Sequence, residues 1–406
     1  MKERFFIRRN KMSSQVLTIG IPKEIMLGER RVAATPEIVK KMVSDGAMVI
    51  VETGAGEGSF FADDEYRAAG AELLADAEEV FARSDLILKV KEPRFSDKTS
   101  MHEVDMMKEG QYLIAFLHPA SPANHQMVRK LAAKRVIAIS LDSIPRISRA
   151  QTMDALTSMS TVAGYKAVLM AANMLPVFMP MMSSAVGTTQ PANVLVIGAG
   201  VAGLQSLATA KRLGAVVSAA DIRPDACEQA MSLGAKIIDV QVPGEVAIGK
   251  GGYAMRLPEK WLVKERQILS QNVSSADIVI LTALIPGRTA PVLITEEMVK
   301  SMKTGSVIVD VAIDQGGNCE ISEAAKLVTK YGVNIDGTQN TPSMLPRSST
   351  WMFASNVYNL LTYLIKDGKI NLNMDDEIIA SSLVTKDGKI FHEGTLEAMN
   401  LKRESG

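Results

Sequence analysis

The chain has 406 residues, of which 47% are hydrophobic and 22% are charged. A chain of this length and composition can bury a core of its own and belongs to the ordinary globular class, with about two domains. Lysine plus arginine and aspartate plus glutamate both number 45, so the charge balance does not indicate a polyanion such as nucleic acid as a partner. Its two cysteines, Cys227 and Cys319, form neither a disulfide framework nor a zinc-binding spacing, which fits a reducing compartment.

One stretch is apolar enough to raise the question of a membrane span, AVLMAANMLPVFMPMM at 167–182. It contains Asn173, Pro176 and Pro180 and is shorter than the roughly 20 residues that a span requires. We therefore expect a buried helix that ends near Pro176 and no direct insertion into a membrane. The histidines also lack metal-ligand spacing, so no metal site is predicted.

The pattern of strands and helices predicts an α/β fold. Strands are predicted at 16–22, 47–52, 85–90 and 135–140, with a helix at 36–46, and a second series of strands at 192–200, 216–221, 277–283 and 306–312. Alternating strands and helices are typical of parallel sheets covered by helices on both faces. The prediction is two Rossmann-like, doubly wound parallel-sheet domains with a cleft between them.

The last stretch of the chain contains a long amphipathic segment, SSTWMFASNVYNLLTYLIKDG at 348–368, which predicts a helix that packs back on the first domain. We therefore assign residues 1–145 and 341–406 to an N-terminal Rossmann-like domain with a returning C-terminal segment. Residues 146–340 are assigned to the second domain.

The second domain opens with the pattern of a dinucleotide-binding unit, VLVIGAGVAGLQSLATAKRLGAVVSAADIRP at 194–224. Gly198 permits a tight turn, Gly200 lets the backbone approach a pyrophosphate, and Gly203 allows close packing of the helix on the sheet. Asp221 follows Gly198 by 23 positions, at the end of the next strand. A strand, three glycines, a helix and a well-spaced acid together make the motif specific for a dinucleotide.

The acid favours NAD over NADP, because Asp221 accepts hydrogen bonds from ribose hydroxyls and repels a 2′-phosphate. Arg223 leaves the alternative open, since a guanidinium can pair with that phosphate. The predicted cofactor contacts around the motif are Gly198, Gly200, Val201, Ala202, Gly203, Asp221, Ile222 and Arg223. Those after the fourth strand are Thr282, Ala283 and Leu284, which lie where such folds hold the nicotinamide half.

A further stretch, PRISRAQTMDAL at 145–156, holds Arg146, Gln151 and Asp154 at fixed spacing without a nucleophile, a metal-ligand pair or a general base. From the residues alone, Arg146 and Asp154 are interpreted as a surface ion pair before a helix, with Asp154 in its first turn.

With these motifs in place, the sequence resembles the NAD(H)-binding soluble domain of proton-translocating nicotinamide nucleotide transhydrogenase, in the family that it shares with alanine dehydrogenase. The resemblance extends from GIPKEIMLGERRVAATPE (20–37) to VTKDGKIFHEG (384–394). Three stretches favour the transhydrogenase branch: PRISRAQTMDAL, GGYA (251–254) and TALIPGRTAPVLIT (282–295).

The resemblance implies a Si-specific enzyme in which hydride passes directly between the C4 atoms of NADH bound here and NADP⁺ bound by a partner. Such a transfer moves no proton at the reacting carbons, so the protein must position two rings rather than supply a base. The resemblance assigns this task to Arg146 and Asp154, which shape the loop around the nicotinamide, and to Gln151, which reaches toward the second nucleotide. Amide and guanidinium groups do this without titrating near neutral pH.

By the same resemblance, the glycine-rich insertion at 243–260 closes over bound NAD through Gly252, Tyr253 and Ala254, with an ordinary surface loop as the alternative. The resemblance also implies membrane-spanning and NADP-binding partner subunits and a homodimer. It places the chain in the cytoplasm, held at the bacterial inner membrane by those partners, with the proton channel on other polypeptides.

Two rival functions remain open. Alanine dehydrogenase would use Arg31 and Lys91 to bind a 2-oxo acid, His118 as general acid and base, and Asp314, since reductive amination of pyruvate needs a proton with the hydride. We expect this set to be a remnant of common ancestry that lines the cleft. The other rival is a non-enzymatic subunit that senses NADH, which would show no hydride transfer with any partner.

Overall fold

The computed structural model describes residues 16–249, 254–285, 289–366 and 368–401. The chain forms two compact units, one of residues up to Met159 together with those from Leu345 onward, and one of Ser160–Met344. The first division therefore falls later than the predicted 145/146. The segment 146–159 stays with the first unit because its backbone and side chains are hydrogen-bonded to elements near the C-terminus.

The strands are short and follow one another through both units. In chain order they are β1 (Thr18–Ile21), β2 (Met48–Glu52), β3 (Glu72–Leu74), β4 (Leu86–Leu88), β5 (Phe95–Ser96), β6 (Met101–His102), β7 (Tyr112–Ala115), β8 (Ile137–Ser140), β9 (Ser183–Ser184), β10 (Gly187–Thr188), β11 (Asn193–Ile197), β12 (Val216–Ala220), β13 (Lys236–Ile237), β14 (Ile278–Leu281), β15 (Val307–Asp310), β16 (Leu327–Lys330), β17 (Val333–Asp336), β18 (Ile365–Lys366), β19 (Lys369–Ile370), β20 (Leu383–Lys386) and β21 (Lys389–Ile390).

The helices alternate with these strands. They are α1 (Pro36–Ser44), α2 (Asp63–Ala68), α3 (Ala77–Arg83), α4 (Glu103–Met106), α5 (His125–Ala133), α6 (Ala155–Met174), α7 (Val201–Arg212), α8 (Pro224–Ser232), α9 (Gly244–Ala247), α10 (Glu259–Ser275), α11 (Glu296–Lys300), α12 (Pro346–Leu364), α13 (Glu377–Ser382) and α14 (Glu393–Ala398). Within the described parts of the chain, no helix is long and apolar enough to cross a membrane.

The first unit is built on a sheet with the order β21-β20-β8-β7-β4-β1-β2-β3. The strands from β1 to β8 in this sheet are parallel, and their central members are fully buried runs such as Leu86–Leu88, as expected for a sheet covered on both faces. The C-terminal segment adds β20 antiparallel to β8, while α12 packs beside α1 through a hydrogen bond from Tyr358 Oη to Asp45 Oδ2 of 2.6 Å.

The second unit is built on a sheet with the order β13-β12-β11-β14-β15-β17-β16. The chain starts this sheet at β11 and then places β12 on one side and β14 on the other. The crevice at the carboxyl end of such a reversal is where open α/β sheets bind ligands. The predicted pair of Rossmann-like α/β folds is confirmed, with one difference: each sheet also carries antiparallel strands at an edge.

The individual predicted elements are confirmed wherever the hydrophobic pattern is strong. All eight predicted strands are present, the predicted helix at 36–46 is α1, and the apolar stretch forms α6, which ends at Met174 just before Pro176. The predicted helix at 348–368 is α12, but it ends at Leu364 because the chain turns there into the hairpin of β18 and β19.

A cluster of buried charges lies at the end of β4 in the first unit. The ammonium of Lys89, only 1% exposed, lies 2.8 Å from Glu103 Oε1 and 3.3 Å from Glu24 Oε2. Glu24 Oε1 also accepts the backbone N–H of Val90 at 2.5 Å, and Glu103 Oε2 accepts that of Arg94 at 2.8 Å. Burial raises the pKa of Glu24 to about 7, so Lys89 is the charge that makes this carboxylate tolerable.

We predict that Lys89→Met destabilises the protein by about 3–5 kcal/mol, because removing one partner leaves buried carboxylates without their cation. The loss should be larger at pH 8 than at pH 5, since a carboxyl group whose pKa is raised in the folded state binds protons that stabilise that state at low pH. Urea unfolding at both pH values measures the effect. Lys98→Met, at a side chain that is 70% exposed, is the control, and equal small losses in both variants would contradict the prediction.

Candidate functional site

The turn between β11 and α7 is set by a close approach of two backbone segments. Gly198 has a φ of 92°, and a Cβ atom there would lie 2.7 Å from the backbone nitrogen of Ala283. A Cβ atom on Gly203 would lie 1.9 Å from the carbonyl oxygen of Gly198. The Oγ1 atom of Thr282 donates to that same carbonyl at 2.6 Å. Only glycine fits both positions, so the turn, the helix and the 282–283 loop fix one another.

The first turn of α7 faces open space in the structure. Gly200 is the N-cap and supplies no side chain to the free N–H groups of the helix start, while Val201 and Ala202 are half-buried. The atom nearest to a Cβ built on Gly200 is Nη2 of Arg223, at 3.8 Å. A helix N-terminus with free donors and a partial positive charge can hold a pyrophosphate.

The predicted ribose-binding acid lies directly beside this turn. Oδ2 of Asp221 accepts the backbone N–H of Ala199 at 2.7 Å, which fixes the carboxylate at the end of β12. Arg223 donates Nε to Oδ1 at 3.0 Å and Nη2 to Oδ2 at 2.8 Å, and Ile222 between them is half-buried. The guanidinium is therefore engaged by the carboxylate, which leaves Asp221 as the group that meets the ribose hydroxyls.

The loop after β14 is held from below by a buried amide that the sequence does not single out. Asn318, fully buried, accepts the N–H of Ala283 at 3.0 Å and donates to the carbonyls of Ala283 at 2.9 Å and Pro291 at 2.8 Å. Thr282 is buried and Leu284 is 38% exposed. The loop is thus a fixed platform with one exposed apolar side chain.

Asn318 is itself positioned by Asp310, at the end of β15. Oδ2 of Asp310 accepts the N–H groups of Asn318 at 2.9 Å and Cys319 at 3.0 Å, together with the hydroxyl of Ser322 at 2.9 Å. The signal in the sequence that could have found both residues is an acid that ends a buried strand shortly before GGN.

The predicted lid lies partly outside the described residues. Gly252 and Tyr253 are among those that the structure does not describe, whereas Ala254 forms an antiparallel bridge with Ile248. The predicted site residues of the second unit that the structure does describe come together at the turn after β11, the end of β12 and the loop after β14.

The loop with Arg146, Gln151 and Asp154 belongs to the first unit. Asp154 is buried and begins α6: Oδ1 accepts the N–H of Thr157 at 2.8 Å, and Oδ2 accepts its hydroxyl at 2.6 Å. Arg146 and Gln151 are exposed, the latter within a 3-10 turn at Ser148–Met153. Asp154 therefore shapes the loop, and the other two side chains point to its surface.

Residues far along the chain hold this loop in place. The carbonyl of Thr152 accepts Nδ2 of Asn356 at 2.8 Å and Nδ2 of Asn359 at 3.0 Å. Arg149 forms an ion pair with Asp376, with Nη2 to Oδ1 at 3.0 Å. These anchors were missed from the sequence because nothing local in it signals hydrogen bonds across about 200 residues or more.

Three of the four residues of the dehydrogenase-like set lie in the first unit. Arg31 is buried and pairs with Glu29 at 2.5 Å, and Lys91 is half-buried. Nδ1 of His118 lies 2.6 Å from Oδ1 of Asp142. Asp314 lies in the second unit, where its exposed carboxylate accepts the N–H of Asn340 at 3.3 Å.

His118 and Asp142 form an oriented dyad. The second carboxylate oxygen of Asp142 accepts the N–H groups of Leu117 at 2.9 Å and His118 at 2.7 Å and the hydroxyl of Ser140 at 2.6 Å. The charge of Asp142 raises the pKa of His118, whose ring stacks on Phe116 and remains 43% exposed. His118 also has a φ of 43°, a strained value that non-glycine residues keep mainly at functional positions.

We predict that Asn318→Ala weakens NADH binding roughly tenfold, because the 282–284 loop loses three hydrogen bonds to a buried amide. Isothermal titration calorimetry gives the affinity, and thermal unfolding measured on the same sample separates loss of binding from loss of folding. Asn334→Ala in β17 is the control. Unchanged NADH affinity in folded Asn318→Ala would show that this loop does not contribute to the site.

The comparisons with known proteins agree with this geometry. Models of the alanine dehydrogenase/PNT family match the N-terminal domain at residues 20–163 and the C-terminal domain at residues 167–393. The first of the polypeptides that make up NAD(P) transhydrogenase subunit alpha in Rhodospirillum rubrum is 45% identical to the chain over 379 residues, which cover 93% of this chain and 98% of that polypeptide.

A solved structure of transhydrogenase from Sinorhizobium meliloti superposes with a TM-score of 0.80 at 40% identity, covering 92% of this chain and 99% of that one. Alanine dehydrogenase of Methanococcus maripaludis is 32% identical, with 95% and 97% coverage. The higher identities support a component of NAD(P) transhydrogenase over the dehydrogenase branch. By the match of both domain models and of these relatives, the chain belongs to the alanine dehydrogenase/PNT family.

Proposed function

We propose that this protein is the NAD(H)-binding component of a proton-translocating NAD(P) transhydrogenase. In this function NADH bound to the second unit passes hydride directly to NADP⁺ held by a partner subunit. The observation that carries the proposal is the firmly anchored 146–154 loop, which presents Gln151 to solvent and contains no general base. A loop of this kind suits a reaction that needs two rings to be oriented and no proton to be moved.

The second unit supplies the proposed NAD(H) site. NADH, when bound, supplies the hydride. The N–H groups at the start of α7 hold the pyrophosphate, and Asp221 accepts the hydroxyls of the adenosine ribose. Thr282, Ala283 and Leu284 support the nicotinamide half. The remaining predicted contacts, Gly252, Tyr253 and Ala254, are proposed to close over the nucleotide.

The 146–154 loop supplies the proposed positioning groups. Asp154 holds the loop through its bonds to Thr157, so its part in catalysis is geometric. The guanidinium of Arg146 and the amide of Gln151 hydrogen-bond a nicotinamide carboxamide without changing protonation near neutral pH. Orientation of two reactants can supply several kcal/mol of the barrier reduction, and small displacements of such groups are costly in rate.

The proposed complex includes further subunits. The 45%-identical relative is named as one numbered portion of a subunit alpha, which supports a division of the enzyme among several polypeptides. We propose that a membrane-spanning subunit carries the proton pathway and that another domain binds NADP(H). This chain would then lie on the cytoplasmic side of the inner membrane, held there by its partners.

The experiment that tests the function compares two acceptors with the same purified protein and NADH. One reaction contains NADP⁺ and a purified transhydrogenase NADP-binding domain, and the other contains pyruvate and ammonium. Turnover that requires the added domain supports the proposal. Turnover with pyruvate and ammonium alone would overturn it, and binding of NADH without any turnover would favour a sensing subunit.

The His118–Asp142 dyad favours reductive amination of a 2-oxo acid as the second candidate function. A half-exposed imidazole whose orientation is fixed by a carboxylate is the kind of group that transfers a proton to a carbonyl oxygen or an amine. Lys91 is close enough to lower the pKa of His118 through its positive charge. If pyruvate is turned over, His118→Gln should abolish that activity while leaving hydride transfer to NADP⁺ unchanged.

We predict that Gln151→Leu lowers the rate of hydride transfer to NADP⁺ about 10²-fold with an unchanged Kd for NADH, because the amide acts only when both rings are present. Single-turnover absorbance measurements give the rate. Thr152→Ala, at the exposed neighbouring side chain, is the matched control. An equal loss in both variants would assign the effect to the loop fold, and no loss in Gln151→Leu would exclude the amide from the reaction.

An exposed apolar hairpin in the second unit supports the proposed homodimer. The hairpin of β9 and β10 and the segment before it expose large apolar side chains: Val177 at 55%, Phe178 at 57%, Met181 at 61%, Met182 at 44% and Val186 at 98%. Contiguous apolar surface of this kind marks a protein interface. A short two-stranded hairpin is also marginal in isolation, so a second copy of the chain that packs against it would stabilise it.

We predict that the double substitution Met181→Asp and Val186→Asp converts a dimer into a monomer, because two charges would be buried without partners at the interface. Sedimentation equilibrium at micromolar concentration measures the mass. Leu27→Asp is the control, because that side chain is 97% exposed in the first unit. A hairpin variant that stays dimeric, or a wild-type protein that is monomeric, would contradict the proposal.

A further inference from the structure

A buried carboxyl group on α10 has no assigned role. Glu265 is only 5% exposed and lies on the same helix face as Leu269 and Val273, at intervals of four residues. Its carboxyl group makes neither a hydrogen bond nor an ion pair with any residue that the structure describes. Because burying a carboxylate without partners is costly, a purely structural role would be served better by an apolar side chain.

The face that carries Glu265 packs where β12 ends. Leu269, one turn further along α10, shares a hydrophobic cluster with Ala220, and the half-buried Ile222 packs against the same cluster. These two residues flank Asp221. The charge of Asp221 acts on Glu265 directly: after burial, it is the main cause that raises the pKa of Glu265, to about 7.

The cations in this region are committed elsewhere. Arg223 is paired with Asp221, and Arg266 donates Nε and Nη2 to the carbonyl of Val292 at 2.9 and 2.7 Å, although its charge partly offsets the effect of burial on Glu265. Lys264 lies over the ring of Trp261.

The neighbouring elements contribute no further free cation among the described residues. On α11, Lys300 pairs with both Glu296 and Glu297. On α8, Cys227 donates its thiol to the carbonyl oxygen of Asp221 at 3.3 Å. On α10 itself, Glu259 pairs with Arg266 at 3.4 Å. Glu265 and Asp221 thus form two acidic groups that share the single guanidinium of Arg223.

We propose that Glu265 is a second acidic residue of the nucleotide site, which acts through Asp221 and Arg223 to reject a nucleotide with a 2′-phosphate. This inference rests on the proposed NAD(H) site. When Glu265 is ionised, it adds negative potential where that phosphate would lie and keeps Arg223 on Asp221. Both effects disfavour NADPH and leave the hydroxyls of NADH free to bind.

The sign of the pH effect follows from the same charges. A bound 2′-phosphate favours the neutral form of Glu265, so NADPH binding takes up a proton and weakens as pH rises through about 7. NADH has no charge at that hydroxyl, so its affinity should depend less on pH. The ratio of the Kd for NADPH to the Kd for NADH should therefore increase with pH.

The test measures both Kd values by calorimetry, at about pH 6 and about pH 8, for the wild-type chain, Glu265→Gln and the control Glu297→Gln. From the lower to the higher pH, we expect the ratio to rise roughly tenfold more in the wild-type chain and the control than in Glu265→Gln. The 2′-phosphate itself titrates near pH 6, but it does so equally in all three proteins.

Equal pH dependence of the ratio in the wild-type chain and Glu265→Gln would overturn the inference. If Glu265→Gln fails to fold, Glu265→Met replaces it, because an apolar side chain of similar length suits a buried position. Wild-type protein that binds no NADH, or Asp221→Asn that binds it as well as wild type does, would contradict the proposed NAD(H) site itself. The two failures are therefore distinguishable.

Discussion

The second unit depends on one steric constraint, the contact of the turn after β11 with the loop after β14. There is no space for a Cβ atom at Gly198 or at Gly203, and the Thr282 hydroxyl bonds the carbonyl between them. This contact fixes where α7 begins, and so where its free N–H groups lie. It also fixes the 282–284 loop, so the two halves of the proposed nucleotide site are set by a single packing event.

Buried polar residues extend this constraint outward. Asp310 organises the turn that contains Asn318, and Asn318 supports the loop that Thr282 begins. In the first unit, Asp154 begins α6 in the same way, and the Lys89 cluster holds the chain after β4. Each of these groups has its hydrogen bonds satisfied by backbone N–H or carbonyl groups, which gives loops the rigidity of regular structure.

The fold was largely predictable because its information is local. Buried parallel strands such as Ile278–Leu281 are continuous apolar runs, and the dinucleotide turn has a fixed glycine spacing. Edge strands such as β16 and β20 were missed because their patterns are short and polar and their pairing is set by distant partners. Likewise, Asp221 could be found by its spacing, whereas Glu265 and Asn318 become visible only when distant segments are packed together.

The central claim is that hydride moves directly from one nicotinamide to another without exchange with solvent. The most direct measurement uses NADH carrying deuterium at the transferred C4 position, with NADP⁺ on its binding domain, and mass spectrometry of the NADPH that forms. The account predicts that the NADPH contains essentially all of the transferred deuterium. NADPH without deuterium, or deuterium found in alanine when pyruvate and ammonium are supplied, would contradict it.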